Sequence, residues 1–266
     1  MNSDKYFMKL LSAAAMAFSL AAGVLLARPS IVGPSSTGLS PWVLAAAFSP
    51  APSAGAAQPA GAPSVFSPDK GKLRILINGQ SIGSEDFEIS QSGDAWIERS
   101  SMSAHAPGGG EIKATGQIKL SADGAPLHYN WSAEAQKKAT GSVDFVGGTA
   151  KCVADLGAAS PLRKDFVFTS PLVAVLDNNL YYQFGVLARI YDWKAGGKQM
   201  FPVLIPQDMV PGSISVESLG QQQAGNGKYE AVRVSSTDLE IMVYLDGNHR
   251  MMRLEVPSSN VTIERE

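Results

Sequence analysis

Few residues of this chain have the type and spacing that enzyme chemistry requires. Three histidines are present, and none has a second His or a Cys at a metal-ligand spacing. His105 lies in a glycine-rich turn and His249 follows a hairpin turn, so both are expected in solvent. His128 alternates with Leu127 and Tyr129 on a predicted strand. It is therefore the best candidate for a polar group inside a barrel, with the outer surface as the alternative.

Nucleophile and phosphate motifs are also missing. The single cysteine, Cys152, stands in a strand-like context where a lone Cys behaves as a small buried hydrophobe. Residues 212–216 lack the final glycine of a G-x-S-x-G elbow, and residues 108–110 have no Lys-Ser/Thr after them. We therefore predict no catalytic residue, no metal site and no cofactor.

Charged residues in one apolar segment are the remaining candidates. Asp177, Arg189 and Asp192 could line the mouth of a cavity. A charge on a buried helix is unfavourable unless it is paired, so an ion pair that docks the helix is the alternative. If the chain were a hydrolase, His128, Asp177 and Asp192 would be its polar residues, although no nucleophile–base pairing is visible.

Charge and cysteine content narrow the class of protein. The 266 residues carry a formal net charge of -2, which gives no electrostatic basis for binding nucleic acid. Hydrophobic residues make up 45% of the chain and charged residues 17%, enough for a substantial core. One cysteine permits no intrachain disulfide, so the fold must depend on that core.

The first quarter of the chain has the layout of an export signal and a linker. Lys5 and Lys9 precede an uncharged apolar run, residues 10–27. At about 1.5 Å per residue, this run nearly spans a hydrocarbon core of about 30 Å. Residues 1–27 are therefore either a cleaved signal peptide or an uncleaved anchor that contacts the membrane through residues 10–27. Residues 28–68 are rich in Pro, Ala, Gly and Ser and are predicted to be a disordered linker.

Residues 69–266 are predicted to be a single, mainly β (α+β) domain. Successive runs alternate between apolar and polar residues and are separated by turn signals such as Asn78-Gly79 and Asp246-Gly247. No helical pattern separates neighbouring runs, which indicates an antiparallel meander before and after one central segment. The predicted strands are 72–78, 82–89, 94–102, 111–121, 126–134, 141–145, 148–153, 199–205, 213–219, 229–235, 240–245, 249–256 and 261–265.

The central segment has helical periodicity. Ser170 and Pro171 suit a helix start, and apolar residues recur at steps of three or four through about residue 192. Because the predicted helix, residues 171–192, is apolar round most of its circumference, it must be covered on more than one side. A large curved antiparallel sheet or incomplete barrel would cover it. The pair Asn178-Asn179 could instead divide the segment into two short helices.

The apolar side chains of this helix are also the predicted lining of a ligand cavity between helix and sheet. With His128 from the facing strand, they are Leu176, Leu180, Tyr182, Phe184 and Leu187.

Three stretches of the sequence resemble a known group of proteins. They are LRILINGQSIGSEDFEI, LYYQFGVLARIYDWKAGGKQMFPVLIP and LEIMVYLDGNHRMMRLEVPSSNVTIERE. Together they are similar to uncharacterised bacterial envelope proteins classed as domains of unknown function. The resemblance implies an incomplete barrel like the lipoprotein-carrier (LolA-like) half-barrel, and it transfers no site residues.

The expected function is that of an exported protein of the periplasm or cell envelope without enzymatic activity. Its expected partners are a lipid, or another apolar ligand, held between helix and sheet, or an envelope protein. The alternative is a hydrolase that acts on envelope material without a recognisable motif.

Overall fold

The computed structural model describes residues 64–106, 109–237 and 239–266. The predicted signal segment and residues 28–63 of the predicted linker lie outside the described residues. Ordered contacts begin slightly before the predicted domain start. The N–H of Val65 donates to the carbonyl oxygen of Ala122 at 3.0 Å, and Phe66 packs beside Trp96 with ring centroids 5.8 Å apart.

One sheet accounts for most of the described residues. Its strands are β1 (Asp69–Ile77), β2 (Gln80–Ser92), β3 (Ala95–His105), β4 (Glu111–Leu120), β5 (Pro126–Glu134), β6 (Lys138–Val146), β7 (Thr149–Asp155), β8 (Leu162–Val167), β9 (Ala174–Val175), β10 (Lys198–Ile205), β11 (Val210–Ala224), β12 (Gly227–Ser235), β13 (Glu240–Leu245), β14 (Met251–Val256) and β15 (Val261–Arg265).

The strand order is β8-β7-β6-β5-β4-β3-β2-β1-β15-β14-β13-β12-β11-β10-β9. Every neighbouring pair is antiparallel except β9 and β10, and β8 and β9 are the two unjoined ends. The sheet is therefore a pair of meanders joined through β1 and β15. This confirms the prediction of a mainly β fold built on a large, unclosed antiparallel sheet with one helix.

Turn chemistry explains the hairpins that the sequence predicted. Asn78 and Gly79 have φ values of 51° and 78°, the pair of left-handed residues that a two-residue type I′ turn between β1 and β2 requires. The loop between β13 and β14 is held by Asp246, whose carboxylate accepts hydrogen bonds from the N–H groups of Asn248 and Arg250, both at 2.9 Å.

The central helix is shorter than predicted. Helix α1 comprises Tyr182–Ile190, and all nine of its residues are buried, as its all-round apolar pattern required. Residues 171–181 are not helical, so the prediction of one helix over residues 171–192 is wrong in its extent. The alternative break at Asn178-Asn179 is close to the observed one, but the first half is extended rather than helical. There Ala174–Val175 pairs with β10, and the N–H of Leu176 donates to Leu204 O at 3.0 Å. A short apolar run is compatible with both the helical and the strand period, so the sequence does not distinguish them. Pairing with β10 makes this run extended.

Strand β8 was not predicted at all. Its residues, LRKDFV, carry no alternation, because both faces of the strand are largely exposed. Periodicity reports burial on one face, so a strand without a buried face gives no signal.

Residues 173–191, here called the plug, lie against the inner face of the sheet. The apolar side chains of the plug and of both meanders form one continuous core. Gly116 on β4 makes room for this packing, since a Cβ atom there would lie 2.4 Å from Leu180 Cδ1 and 2.8 Å from Tyr129 Oη. In the described part of the chain, no helix has the length and apolar character needed to cross a bilayer.

Candidate functional site

The strongest concentration of chemically capable groups is a set of three carboxylates under the plug, here called the acidic cluster: Glu85, Glu98 and Asp177. Glu85 shares the inner face of β2 with Phe87 and Ile89, and Glu98 shares the inner face of β3 with Met102, because side chains alternate along a strand. Their exposed fractions are 0% for both glutamates and 4% for the aspartate. The plug contributes Asp177 and seals the cluster.

Glu85 binds the start of helix α1. Its carboxylate accepts hydrogen bonds from the backbone N–H groups of Tyr181 at 2.7 Å and Tyr182 at 3.1 Å. The N-cap residue, Tyr181, makes no side-chain cap of its own, so a strand residue satisfies the helix terminus. Burial raises the pKa of Glu85 to about 7, although these hydrogen bonds act in the opposite direction.

Glu98 is less well satisfied. The Ser100 hydroxyl donates to its Oε1 at 2.5 Å, while Oε2 is buried without a hydrogen-bond partner. Burial, with the negative charges of Glu85 and Asp177 adding to it, raises the pKa of Glu98 to about 8. This carboxyl is therefore mostly protonated at neutral pH.

Asp177 joins the plug to two parts of the sheet. It accepts hydrogen bonds from the Tyr129 hydroxyl at 2.6 Å, from the Asn179 N–H at 2.8 Å and from the Gln207 side-chain amide. Its own N–H donates to Gln183 Oε1 at 2.5 Å. Burial raises the pKa of Asp177, against the effect of these donors.

A second buried polar group, centred on Asp69, holds helix α1 through Arg189 and Tyr182. Asp69 on β1 pairs with Arg189 of α1 at 2.9 Å and with Arg265 of β15 at 2.5 Å, and it accepts from the Tyr182 hydroxyl at 3.0 Å. Burial works to raise the pKa of Asp69, but the hydrogen bond and charge of Arg265, with Tyr182 and Arg189, outweigh it and lower the pKa. Arg189 therefore forms an ion pair that docks the helix, which is the alternative that the sequence left open, but its partner Asp69 was not among the residues named for it.

The carboxyl groups of the acidic cluster can hold protons, and they are 0% to 4% exposed among the described residues. A cavity of about 10 Å³ between α1 and β4 is lined by residues that include Leu187 and Gln183. That is space for about a single water molecule. Across the described residues, no three or more His, Cys, Asp or Glu side chains are grouped so that they could hold a metal ion.

The five plug residues that were predicted to line a cavity do come together, and they form part of the hydrophobic core. Leu176, Leu180, Tyr182, Phe184 and Leu187 are all buried in the interior that the plug shares with the sheet, and only Leu187 borders the small cavity.

His128 does not join them, so its place in the predicted cavity is wrong. Its Nδ1 lies 2.6 Å from Asp144 Oδ1 on the outer face, while its neighbour Tyr129 points inward. Strand alternation allows only one of two adjacent residues to face the core.

The remaining candidates are scattered over the molecule. Asp192 is exposed after α1, where it accepts from the N–H groups of Lys194 and Ala195. Cys152 is buried on β7, as predicted, and burial raises the pKa of its thiol to about 11. His128, Asp177 and Asp192 therefore do not form one site.

The outer face of the sheet carries an open trough of about 570 Å³ across β2 to β5. Its polar side chains pair with one another. Arg99 Nε donates to Gln117 Oε1 at 2.9 Å, and the hydroxyls of Thr115 and Ser132 are 2.8 Å apart. These pairs are ordinary cross-strand contacts of a solvated sheet face.

Sequence reasoning missed Glu85 and Glu98. The signal was available, because Glu85 falls two residues before the inward Phe87, and Glu98 falls two residues after the inward Trp96. Period-2 alternation alone places both on the core face.

No family model matches this chain, and no curated protein matches it. Among solved structures, the chain is similar to a beta-barrel-like protein of domain of unknown function DUF1849 from Brucella abortus. The TM-score is 0.53 and the identity 9%, over 75% of this chain and 94% of that chain. A DUF1089 family protein from Pseudomonas aeruginosa has a TM-score of 0.44 and 11% identity, over 68% of this chain and 91% of that chain. The first likeness shows the fold alone, and this chain shares a β-barrel-like architecture with a domain of unknown function.

Proposed function

We propose that this chain is an exported, non-enzymatic protein of the bacterial cell envelope that acts by binding a partner at its surface. The observation that carries this proposal is the filled interior. The plug occupies the concave side of the sheet, and the cavity beside Leu187 measures about 10 Å³.

The low exposure of the acidic cluster supports the non-enzymatic part of this proposal. A general acid or base must come within hydrogen-bond reach of the substrate. The acidic cluster has the raised pKa values of acid–base groups, but its carboxylates are 0% to 4% exposed. The exposed polar candidates, His128 and Asp192, belong to separate surfaces.

Export rests on the N-terminal sequence. Lys5 and Lys9 followed by the apolar residues 10–27 are typical of a secretory signal or anchor. A half-barrel of the LolA-like kind agrees with a barrel-like sheet that is open between β8 and β9.

The packing of the plug bears on the proposed partner. A lipid between helix and sheet would have to displace the plug, which Glu85 holds at the start of α1 and Asp69 holds through Arg189. The geometry therefore favours an envelope protein over a lipid and gives no support for nucleic acid.

The location of the protein is tested by fusing alkaline phosphatase after Glu266, because this enzyme is active only outside the cytoplasm. We expect phosphatase activity from the full chain and its loss when residues 1–27 are deleted. Equal activity of the two fusions would contradict export.

Lipid binding and enzymatic activity are both tested on the purified full chain. Native mass spectrometry should show no co-purifying lipid, fluorescent fatty acids should not bind, and an esterase, glycosidase and peptidase panel should show no turnover. Stoichiometric lipid would overturn the surface mode of binding, and turnover lost in Glu98→Gln would overturn the non-enzymatic assignment.

A further inference from the structure

Among the described residues, strand β8 pairs on one side only, with β7, whereas the strand at the other end of the sheet, β9, is buried. Within this part of the chain, β8 is therefore an open edge of the sheet. Residues 162–165 of β8 are exposed on both faces. A strand edge of this kind is a template for pairing with another strand.

One hydrogen bond shows which residues of β8 bond to β7 and which have backbone groups that point away from it. Phe168 N–H donates to Gly148 O at 2.8 Å, one step beyond the register pair Thr149 and Val167. Hydrogen-bonded pairs alternate along an antiparallel ladder. The even-numbered residues of β8 therefore bond to β7, and the backbone groups of Arg163 and Asp165 point outward.

The side chains restrict which strand can pair there. Leu162, on the inner face of β8, is 52% exposed. Val167 and Val146, which share one row of the outer face, are 82% and 62% exposed. A strand paired at this edge would cover part of these apolar side chains. The central residues Arg163, Lys164 and Asp165 are charged, so a partner strand must match their charges.

We propose that the occupant is a second copy of this chain, with the two β8 strands antiparallel about a two-fold axis at Lys164. In this register Arg163 lies opposite Asp165 of the second copy, and the symmetry repeats that ion pair. Leu162 lies opposite Phe166 of the second copy. Opposite charges and apolar pairs across strands both stabilise a sheet.

The alternative two-fold register is less favourable. A two-fold axis at Asp165 places this carboxylate opposite the Asp165 carboxylate of the second copy. It also moves Arg163 out of register with Asp165 of the second copy. The chosen register places Lys164 opposite its copy instead. Lys164 Nζ lies 3.4 Å from Met209 O and 4.8 Å from the centre of the Phe166 ring, so contacts within its own chain hold this ammonium group in each copy.

One strand from each copy makes a small interface, so the dimer is weak and depends on concentration. Pairing through β8 leaves the acidic cluster and the plug unchanged. The dimer is therefore independent of where the protein is located and of whether it has another partner.

Cysteine cross-linking of the full chain tests the register. Cys152 lies opposite Lys164 on β7, so a new thiol at residue 164 could pair within one chain. The scan is therefore done in Cys152→Ala. A residue on the axis at a non-hydrogen-bonded position has a Cα–Cα distance of about 4.5 Å to its copy, within the disulfide range of about 4.4–6.8 Å.

We expect Lys164→Cys to give disulfide-linked dimers, and Arg163→Cys and Asp165→Cys to react at least about tenfold more slowly, since their copies lie a full residue step off the axis. Fastest reaction at residue 165 would overturn the register. Equal, slow reaction at all three positions would overturn pairing through β8.

Charge reversal tests the ion pairs by sedimentation velocity of the full chain. Arg163→Asp and Asp165→Arg should each weaken the dimer by about tenfold or more, because two attractive pairs become repulsive. The double variant R163D/D165R should restore it. A monomeric wild type at all concentrations, or a dimer indifferent to these changes, would show that β8 is a solvated edge protected by its charges. Circular dichroism confirms that each variant is folded.

Discussion

Replacing Glu98, a carboxyl of the acidic cluster whose pKa is raised by burial, should make the protein more stable at alkaline pH. Glu98→Gln keeps the size of the side chain and the oxygen that accepts from Ser100, and it removes the ionisable group whose Oε2 has no partner. Because Gln is neutral at every pH, the variant never has to bury a charge at this position.

The magnitude follows from the pKa. Burial raises the pKa of Glu98 from 4.5 to about 8. Because the pKa is higher in the folded state, the stability that this group contributes is fully present below pH 4.5 and is lost as the pH rises to about 8. One pKa unit corresponds to about 1.36 kcal/mol, so Glu98→Gln should raise the free energy of unfolding at pH 9 by about 3–5 kcal/mol. At pH 5 both side chains are neutral, and the difference should be within about 1 kcal/mol.

The assay is urea denaturation of the full chain, followed by tryptophan fluorescence, at pH 5, 7 and 9. The matched control is Glu111→Gln on the neighbouring β4, where the glutamate is exposed and the pKa is lowered chiefly by its hydrogen bond with Lys113. This control should leave the change in stability between pH 5 and pH 9 as in wild type. The free energies of unfolding of the wild type and of Glu98→Gln could instead differ by the same amount at pH 5 and at pH 9. That result would refute the assignment of Glu98 as a buried acid with a raised pKa.

Two further changes probe how the plug is held. Gly116→Ala places a Cβ atom 2.4 Å from Leu180 Cδ1 and should lower the free energy of unfolding by about 1–3 kcal/mol, whereas Gly247→Ala, with no atom within 4 Å of its Cβ, should change it little. A Gly116→Ala variant as stable as wild type would contradict the close packing of the plug. Asp69→Asn leaves the buried Arg189 guanidinium without its carboxylate and should destabilise the protein by about 3–5 kcal/mol in the same urea assay at pH 7. A loss below about 1 kcal/mol would mean that this ion pair does not fix the helix.

The inner-face positions could in principle be read from the sequence. Glu85 is in phase with Phe87 and Ile89, so alternation alone assigns it to the core side of β2. What it binds there could not be read, because the Tyr181 and Tyr182 N–H groups come from a segment almost a hundred residues later. A charged residue in a core register is acceptable only when such a partner exists, and the partner is set by tertiary packing.

The sequence by itself determined the mainly β class, the hairpins at Asn78-Gly79 and Asp246-Gly247, and a helix buried on all sides. These depend on local alternation, on the positive φ of Asn78 and Gly79, and on the hydrogen bonds that the Asp246 side chain accepts within its own loop. The tertiary structure alone decided that residues 174–176 bond to β10 instead of continuing α1, that residues 162–167 form an edge strand, and that three carboxylates meet under the plug. The physical reason is the same in each case. These features depend on contacts between segments far apart in the chain, and the local pattern of apolar and polar residues carries no information about such contacts.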